Sequence, residues 1–260
     1  MKKNLLLTIV YVLVGAGLLA SCMPDEGYSA SSTFNRIVTI DTASEKVKLN
    51  ADCTGEVFQP INLIDKGQLN MAGLGDAKRA FVNLRVDVDA SYKQTLTFLQ
   101  GTKIDVKPVL NHSLTDSIKP LKGLHLIYMD GYSAYPSVWV SNGYLNVAPM
   151  IMSNGKGKYY LSADKVRGDT LYFNFHATYE NGSYECYDDL QCFDLRTLRD
   201  TANADKAMRD KMSEVLQALD EHRGDSVCVM FVGEFATKGY LANDTIVKKG
   251  VLTNYFKYNF

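Results

Sequence analysis

Five cysteines and four histidines carry the most reactive chemistry in this chain, and their spacing is poorly suited to catalysis. Cys186 and Cys192 flank Tyr-Asp-Asp-Leu-Gln, so a tight turn near Asp189 would set them opposite each other as a candidate disulfide. Whether they bridge depends on their Cα separation. Cys228 lies in the apolar run Val227–Val232 and reads as a small buried hydrophobe. There is no Cys-x-x-Cys pair, and His112, His125, His176 and His222 are scattered, so no zinc-type ligand spacing exists. G-x-S-x-G is absent, Asp188-Asp189 has no second acid marked out as its partner, and Gly155-Lys156-Gly157-Lys158 falls short of a P-loop. No catalytic residue, metal or cofactor is assigned from the sequence. The expectation is a protein that is not an enzyme, with a cryptic hydrolase the most remote alternative.

Of the remaining two, Cys53 and Cys22, the second has a different chemistry. Lys2 and Lys3 precede an apolar or small-residue run, Leu5–Leu19, which is short for a membrane span and suits an export signal. Leu19-Ala20-Ser21-Cys22 then resembles the lipobox of bacterial lipoprotein precursors, making residues 1–21 a signal peptide and Cys22 the lipidated first residue. Several acyl chains on one residue anchor far more firmly than the single chain that gives only marginal binding. Met23, where inner-membrane retention favours Asp, points to the outer membrane, and Asp25-Glu26 resembles a short surface-export signal. The expected location is the outer membrane, lipid-anchored, facing the periplasm or the cell surface. Residues 22–34 read as a flexible tether.

Two further features carry recognition chemistry. Tyr128, Tyr132, Tyr135 and Trp139 crowd a stretch with Asp130, Gly131 and Pro136, and exposed aromatics of this kind stack on sugars or anchor proteins. The competing reading is core and rim packing. The second feature is Asp-Ser/Thr-apolar, at Thr42, Ser117, Thr170, Thr201, Ser226 and Thr245. Some Gram-negative anaerobes O-glycosylate exported proteins in this tripeptide, so these hydroxyls are candidate acceptors. A turn followed by a strand start explains the pattern equally well.

The elements that must position these residues are strands. Ala80, Val82, Leu84, Val86 and Val88 alternate with Phe81, Asn83, Arg85, Asp87 and Asp89, which gives one buried and one mostly wet face. Shorter pieces at 36–40, 47–49, 57–64, 95–99 and 103–108 complete a small OB-like barrel over residues 35–117. Residues 118–260 hold longer strands at 124–129, 137–140, 144–152, 158–162, 170–179, 183–187, 190–195, 227–235 and 251–260, the content of an antiparallel β-sandwich. Asn142-Gly143 predicts a type I′ hairpin turn. Ala204, Met208, Met212, Val215, Leu216 and Leu219 predict one inserted amphipathic helix within Asp200–His222. The fold class is all-β: an N-terminal OB-like barrel, then a sandwich with one helix.

With 28 basic and 29 acidic side chains, no diffuse positive field exists to hold nucleic acid. The partners expected are the membrane, through the anchor, and a protein or glycan ligand. The order of parts, with Trp139-Val-Ser-Asn-Gly-Tyr-Leu-Asn146 and Cys192-Phe-Asp-Leu-Arg196, resembles the NigD-like lipoproteins. The resemblance implies an OB-like domain, a C-terminal sandwich, and a bacteriocin immunity or accessory role without catalytic residues. The function expected is non-enzymatic binding, with a surface glycan-binding accessory protein as the alternative.

Overall fold

The computed structural model describes residues 30–113, 125–128, 135–136, 138–147, 150–154, 157–179, 184–188, 190–221, 226–236 and 246–257. Cys22, the signal peptide, residues 23–29, Tyr132, Ser117 and Thr245 lie outside them. The flexible tether expected over 22–34 does not extend past residue 29, because residues 30–34 pair with residues 84–88 as the start of the first strand. The fold is all-β, with strands in three sheets and few helices.

The first sheet has the order β3-β2-β1-β4-β5. Its strands are β1 (Ala30–Asp41), β2 (Lys48–Ala51), β3 (Val57–Phe58), β4 (Arg79–Val88) and β5 (Gln94–Lys103). The alternation read from 80–88 falls on β4, between β1 and β5, with Ala80, Val82 and Leu84 fully buried beside Val38, Leu49 and Leu74. Short helix α1 (Lys66–Met71), N-capped by Asp65, lays Leu69 on that face. The strand expected over 57–64 ends at Phe58, and the chain turns through Leu63 into this helix, whose one local signal is the capping pair Asp65 and Gln68. β3 and β5 are the two edges and do not pair, so the expected barrel is an open sheet.

β6 (Val106–Pro108) pairs in parallel with β14 (Gln191–Asp194), so the chain enters the second unit before the boundary expected between residues 117 and 118. That sheet runs β6-β14-β9-β8, with β8 (Val138–Ser141) and β9 (Tyr144–Val147) joined by Asn142 and Gly143. Both turn residues have positive φ, 52° and 82°, as the type I′ reading requires. The strand expected over 144–152 is divided: β10 (Met150–Asn154) belongs to the opposite sheet.

The larger sheet runs β11-β12-β15-β7-β10-β13. It comprises β7 (His125–Tyr128), β10, β11 (Gly157–Arg167), β12 (Thr170–Tyr179), β13 (Tyr184–Asp188) and β15 (Ser226–Ala236). β16 (Ile246–Leu252) and β17 (Phe256–Lys257) also pair with β15. β15 is parallel to both β12 and β7, so the sheet is mixed where antiparallel pairing was expected. Parallel neighbours need a long crossover, and β13, β14 and the helix supply it between β12 and β15.

Val138, Val140, Leu145 and Phe193 of the smaller sheet meet Leu161, Phe173, Phe175, Val229 and Phe231 of the larger in one sandwich core. Burying each such Phe stabilises by ~1.5–3 kcal/mol. Helix α2 (Lys206–Glu221) closes this core with Met208, Met212, Val215 and Leu219, the stripe read from the sequence. The chain end is also structural. Asn254 accepts from the Val140 N–H (2.8 Å) and donates to the Val140 carbonyl (3.0 Å), so its side-chain amide substitutes for a neighbouring strand.

Candidate functional site

Arg79 opens β4 on the face opposite the first core, and it is fully buried. Its cross-strand neighbour is Thr39 of β1, and Asp52 directly follows β2. All four Nη hydrogens are used. Nη1 donates to Asp52 Oδ1 (2.6 Å) and Thr39 Oγ1 (2.7 Å); Nη2 donates to Asp52 Oδ2 (2.5 Å) and Asn146 Oδ1 (2.8 Å). Asp52 accepts in addition from Trp139 Nε1 at 2.8 Å, and more weakly from Asn142 and Asn146 at 3.4 Å. Burial works against the Arg79 charge, but the hydrogen bonds and charge of Asp52 outweigh it and hold the guanidinium more firmly protonated than usual.

The partners come from both units, and the β8–β9 hairpin explains how. Its register pairs Trp139 with Asn146, Val140 with Leu145 and Ser141 with Tyr144. Alternation therefore sends Val140 and Leu145 into the sandwich core, and Trp139 and Asn146 to the first unit. The run Trp139–Asn146 is thus the strap between the units. Tyr135 stacks on Trp139 (centroids 5.0 Å, 21°), its hydroxyl accepts from the Ile37 N–H at 3.0 Å, and Ile37, Phe81 and Leu190 pack around the pair. The face of β4 expected to be mostly wet is covered at its Arg79–Phe81 end by this contact.

Above the ion pair lies an open groove of about 870 Å³ shared by the two units. Thr39–Ala43, Asn50, Lys66 and Lys78 line it from the first, and Asn142, Tyr144, Asp194 and Arg196 from the second. Tyr144 links groove to clasp, since the Arg196 and Arg79 guanidinium carbons lie 4.3 and 4.8 Å from its ring centroid. Asp194 takes Arg196 through two hydrogen bonds (2.6 and 3.0 Å), and Lys78 lies 3.9 Å from it. Lys66 has no carboxylate partner among the described residues. The lining is therefore cationic on balance: three basic groups against Asp41 and Asp194.

The sequence-derived sites are redistributed. Tyr135 and Trp139 are buried, Trp139 completely, so they form no exposed stacking platform. β7 carries Tyr128. The Cys186–Cys192 bridge is not made: Cys192 is a free, buried thiol, and the two residues lie on strands of different sheets, β13 and β14. Cys192 pairs with Asn146 across strands beside Arg79, and burial pushes its thiol up to about 11. Ser226 is exposed; Thr42, Thr170 and Thr201 are partly so. Thr170 and Ser226 each begin a strand, as the turn-then-strand reading has it, and Thr170 donates to Asp169 at 3.1 Å. Among the described residues, no group of three or more His, Cys, Asp or Glu could hold a metal, and no helix is long and apolar enough to cross a membrane.

Sequence reasoning missed Asp52, Arg79 and Asn146 as partners. The one usable signal was Arg79 itself, a charge at the head of a strongly alternating strand. No family model and no curated protein matches the chain. Among solved structures it is similar to the crystal structure of a protein of unknown function, DUF1344, from Bacteroides vulgatus. Identity is 14%, coverage is 85% of this chain and 91% of that one, and the TM-score is 0.45.

Proposed function

We propose that the chain is an exported lipoprotein, anchored through Cys22 in the outer membrane, that acts as a non-enzymatic binding module for a carboxylate-bearing protein partner. The observation that carries this reading is the groove at the junction. Its walls come from both units, its floor is tied to a buried ion pair, and Lys66, Lys78 and Arg196 outnumber Asp41 and Asp194 in its lining by one. Such a surface is preformed, so binding need not order it first. On this reading the chain has the immunity or accessory role that its resemblance to NigD-like lipoproteins implies.

The test is toxin challenge of a producer strain. Deleting the gene sensitises the cell to a toxin made by neighbouring genes, and the wild-type gene restores survival. Lys66→Glu/Lys78→Glu places like charges against an acidic partner and weakens capture by at least about tenfold, or ~1.4 kcal/mol, at unchanged protein level. Equal survival of the deletion and wild-type strains would contradict the immunity role; full rescue by the charge-reversed variant would contradict the groove.

A further inference from the structure

β1 runs along the first sheet from Ala30 to Asp41, and Asp41 lines the groove. At the other end, Ala30 pairs with Val88, the last residue of β4, and Val88 pairs with Gln94, the first of β5. The β4–β5 turn therefore lies beside the point where the chain enters the sheet. Tyr92 in this turn is 74% exposed and has φ 60°, a left-handed conformation that is costly for a bulky residue and inexpensive for Gly or Asn. The turn is built to hold it. Asp89 Oδ1 accepts from the Ser91 N–H (2.8 Å) and the Lys93 N–H (3.0 Å), and the Tyr92 N–H donates to the Asp89 carbonyl (2.9 Å). An open groove of about 460 Å³ on the same sheet is lined by Phe34, Phe58, Val86 and Leu96 and by the Arg36–Glu56 ion pair (3.7 Å), so it is mixed in character.

From these placements we infer that the β4–β5 turn docks on the lipid surface of the anchoring membrane, with Tyr92 at headgroup level. The inference rests on the anchoring of Cys22 proposed above. Cys22 and Ala30 are eight positions apart, so the tether reaches at most about 29 Å at ~3.6 Å per residue. The β4–β5 turn lies beside Ala30, at the end of the first sheet where the tether enters it. Tyrosine suits the membrane–water boundary because its ring is apolar and its hydroxyl stays hydrated. With the turn on the membrane, the length of β1, about 37 Å at ~3.4 Å per residue, holds the junction groove away from the lipid and open to a partner.

The test uses the full lipidated chain carrying Tyr92→Trp, reconstituted into phosphatidylcholine vesicles brominated near the headgroup end of one acyl chain. The wild-type chain, whose single tryptophan is buried, is the reference. The docked arrangement predicts that the added emission is largely quenched by the bromines and shielded from aqueous iodide, while Trp139 emission is unchanged. Tyr92→Gly, which removes the backbone cost, keeps or raises resistance to urea, so loss of folding is not confused with loss of docking. If the chain floats with the vesicles but the added indole stays open to iodide, the docking is overturned and the anchoring stands. Shielding in native outer-membrane fragments but not in pure lipid overturns it in favour of a protein contact. If wild-type and Cys22→Ala chains made in cells fractionate alike as soluble protein, the anchoring reading itself fails.

Discussion

Asp52→Ala is expected to lower the unfolding free energy by ~3–5 kcal/mol, the cost of leaving a buried charge without its partner. Arg79 is fully buried and gives two of its four Nη hydrogen bonds to this carboxylate, and Trp139 Nε1 has Asp52 as its acceptor. Alanine leaves these donors with no water to replace the lost oxygens. The effect reads as a lower urea midpoint at unchanged slope. Asp52→Leu/Arg79→Met removes both charges and is expected to cost much less than Asp52→Ala, because a buried ion pair contributes little net stability beyond a well-packed apolar pair. If Asp52→Ala shifts the midpoint no more than an exposed substitution does, the carboxylate is solvated and the clasp is not closed.

The second large effect is at Trp139. Trp139→Ala removes a completely buried ring, its stack on Tyr135 and a donor to Asp52, and is expected to cost ~3–5 kcal/mol. This value separates two readings of the same residue. An exposed sugar-stacking tryptophan would lose ligand and leave stability within about 0.5 kcal/mol. The buried strap loses stability first, and any loss of partner follows from it. A urea melt of the purified variant decides between them.

How much of this was legible in the sequence depends on the range of the interactions. The alternation over 80–88, the stripe Met208–Leu219 and the Asn142-Gly143 turn all register within a few residues; the stripe and the turn appear as read, and the alternation holds through Leu84, with Val86 and Val88 half-buried. The pairing of β6 with β14 and the parallel placement of β15 beside β12 join segments far apart in the chain, and no local period marks them. Asp52 and Arg79 are one opposite-charged pair among 28 basic and 29 acidic side chains, and only the fold brings them together. Tyr135 and Trp139 were misplaced for a related reason. Flanking Gly, Pro and Asp suggest an exposed loop, but Tyr135 and Trp139 themselves pack against Ile37 and Phe81 of the first sheet.

The central claim is that the two units are clasped into one cooperative structure, and that the groove exists because of the clasp. Trp139, the single tryptophan, lies in the junction, so its emission reports the separation of the units, while far-ultraviolet circular dichroism reports the sheets of both. Equilibrium urea unfolding of the wild-type chain, followed by both signals, is the direct test. Coincident transitions with a single midpoint are the predicted result. Exposure of Trp139 to water at lower urea, with the sheet signal intact, would contradict the account and leave two independent β units with no preformed groove between them.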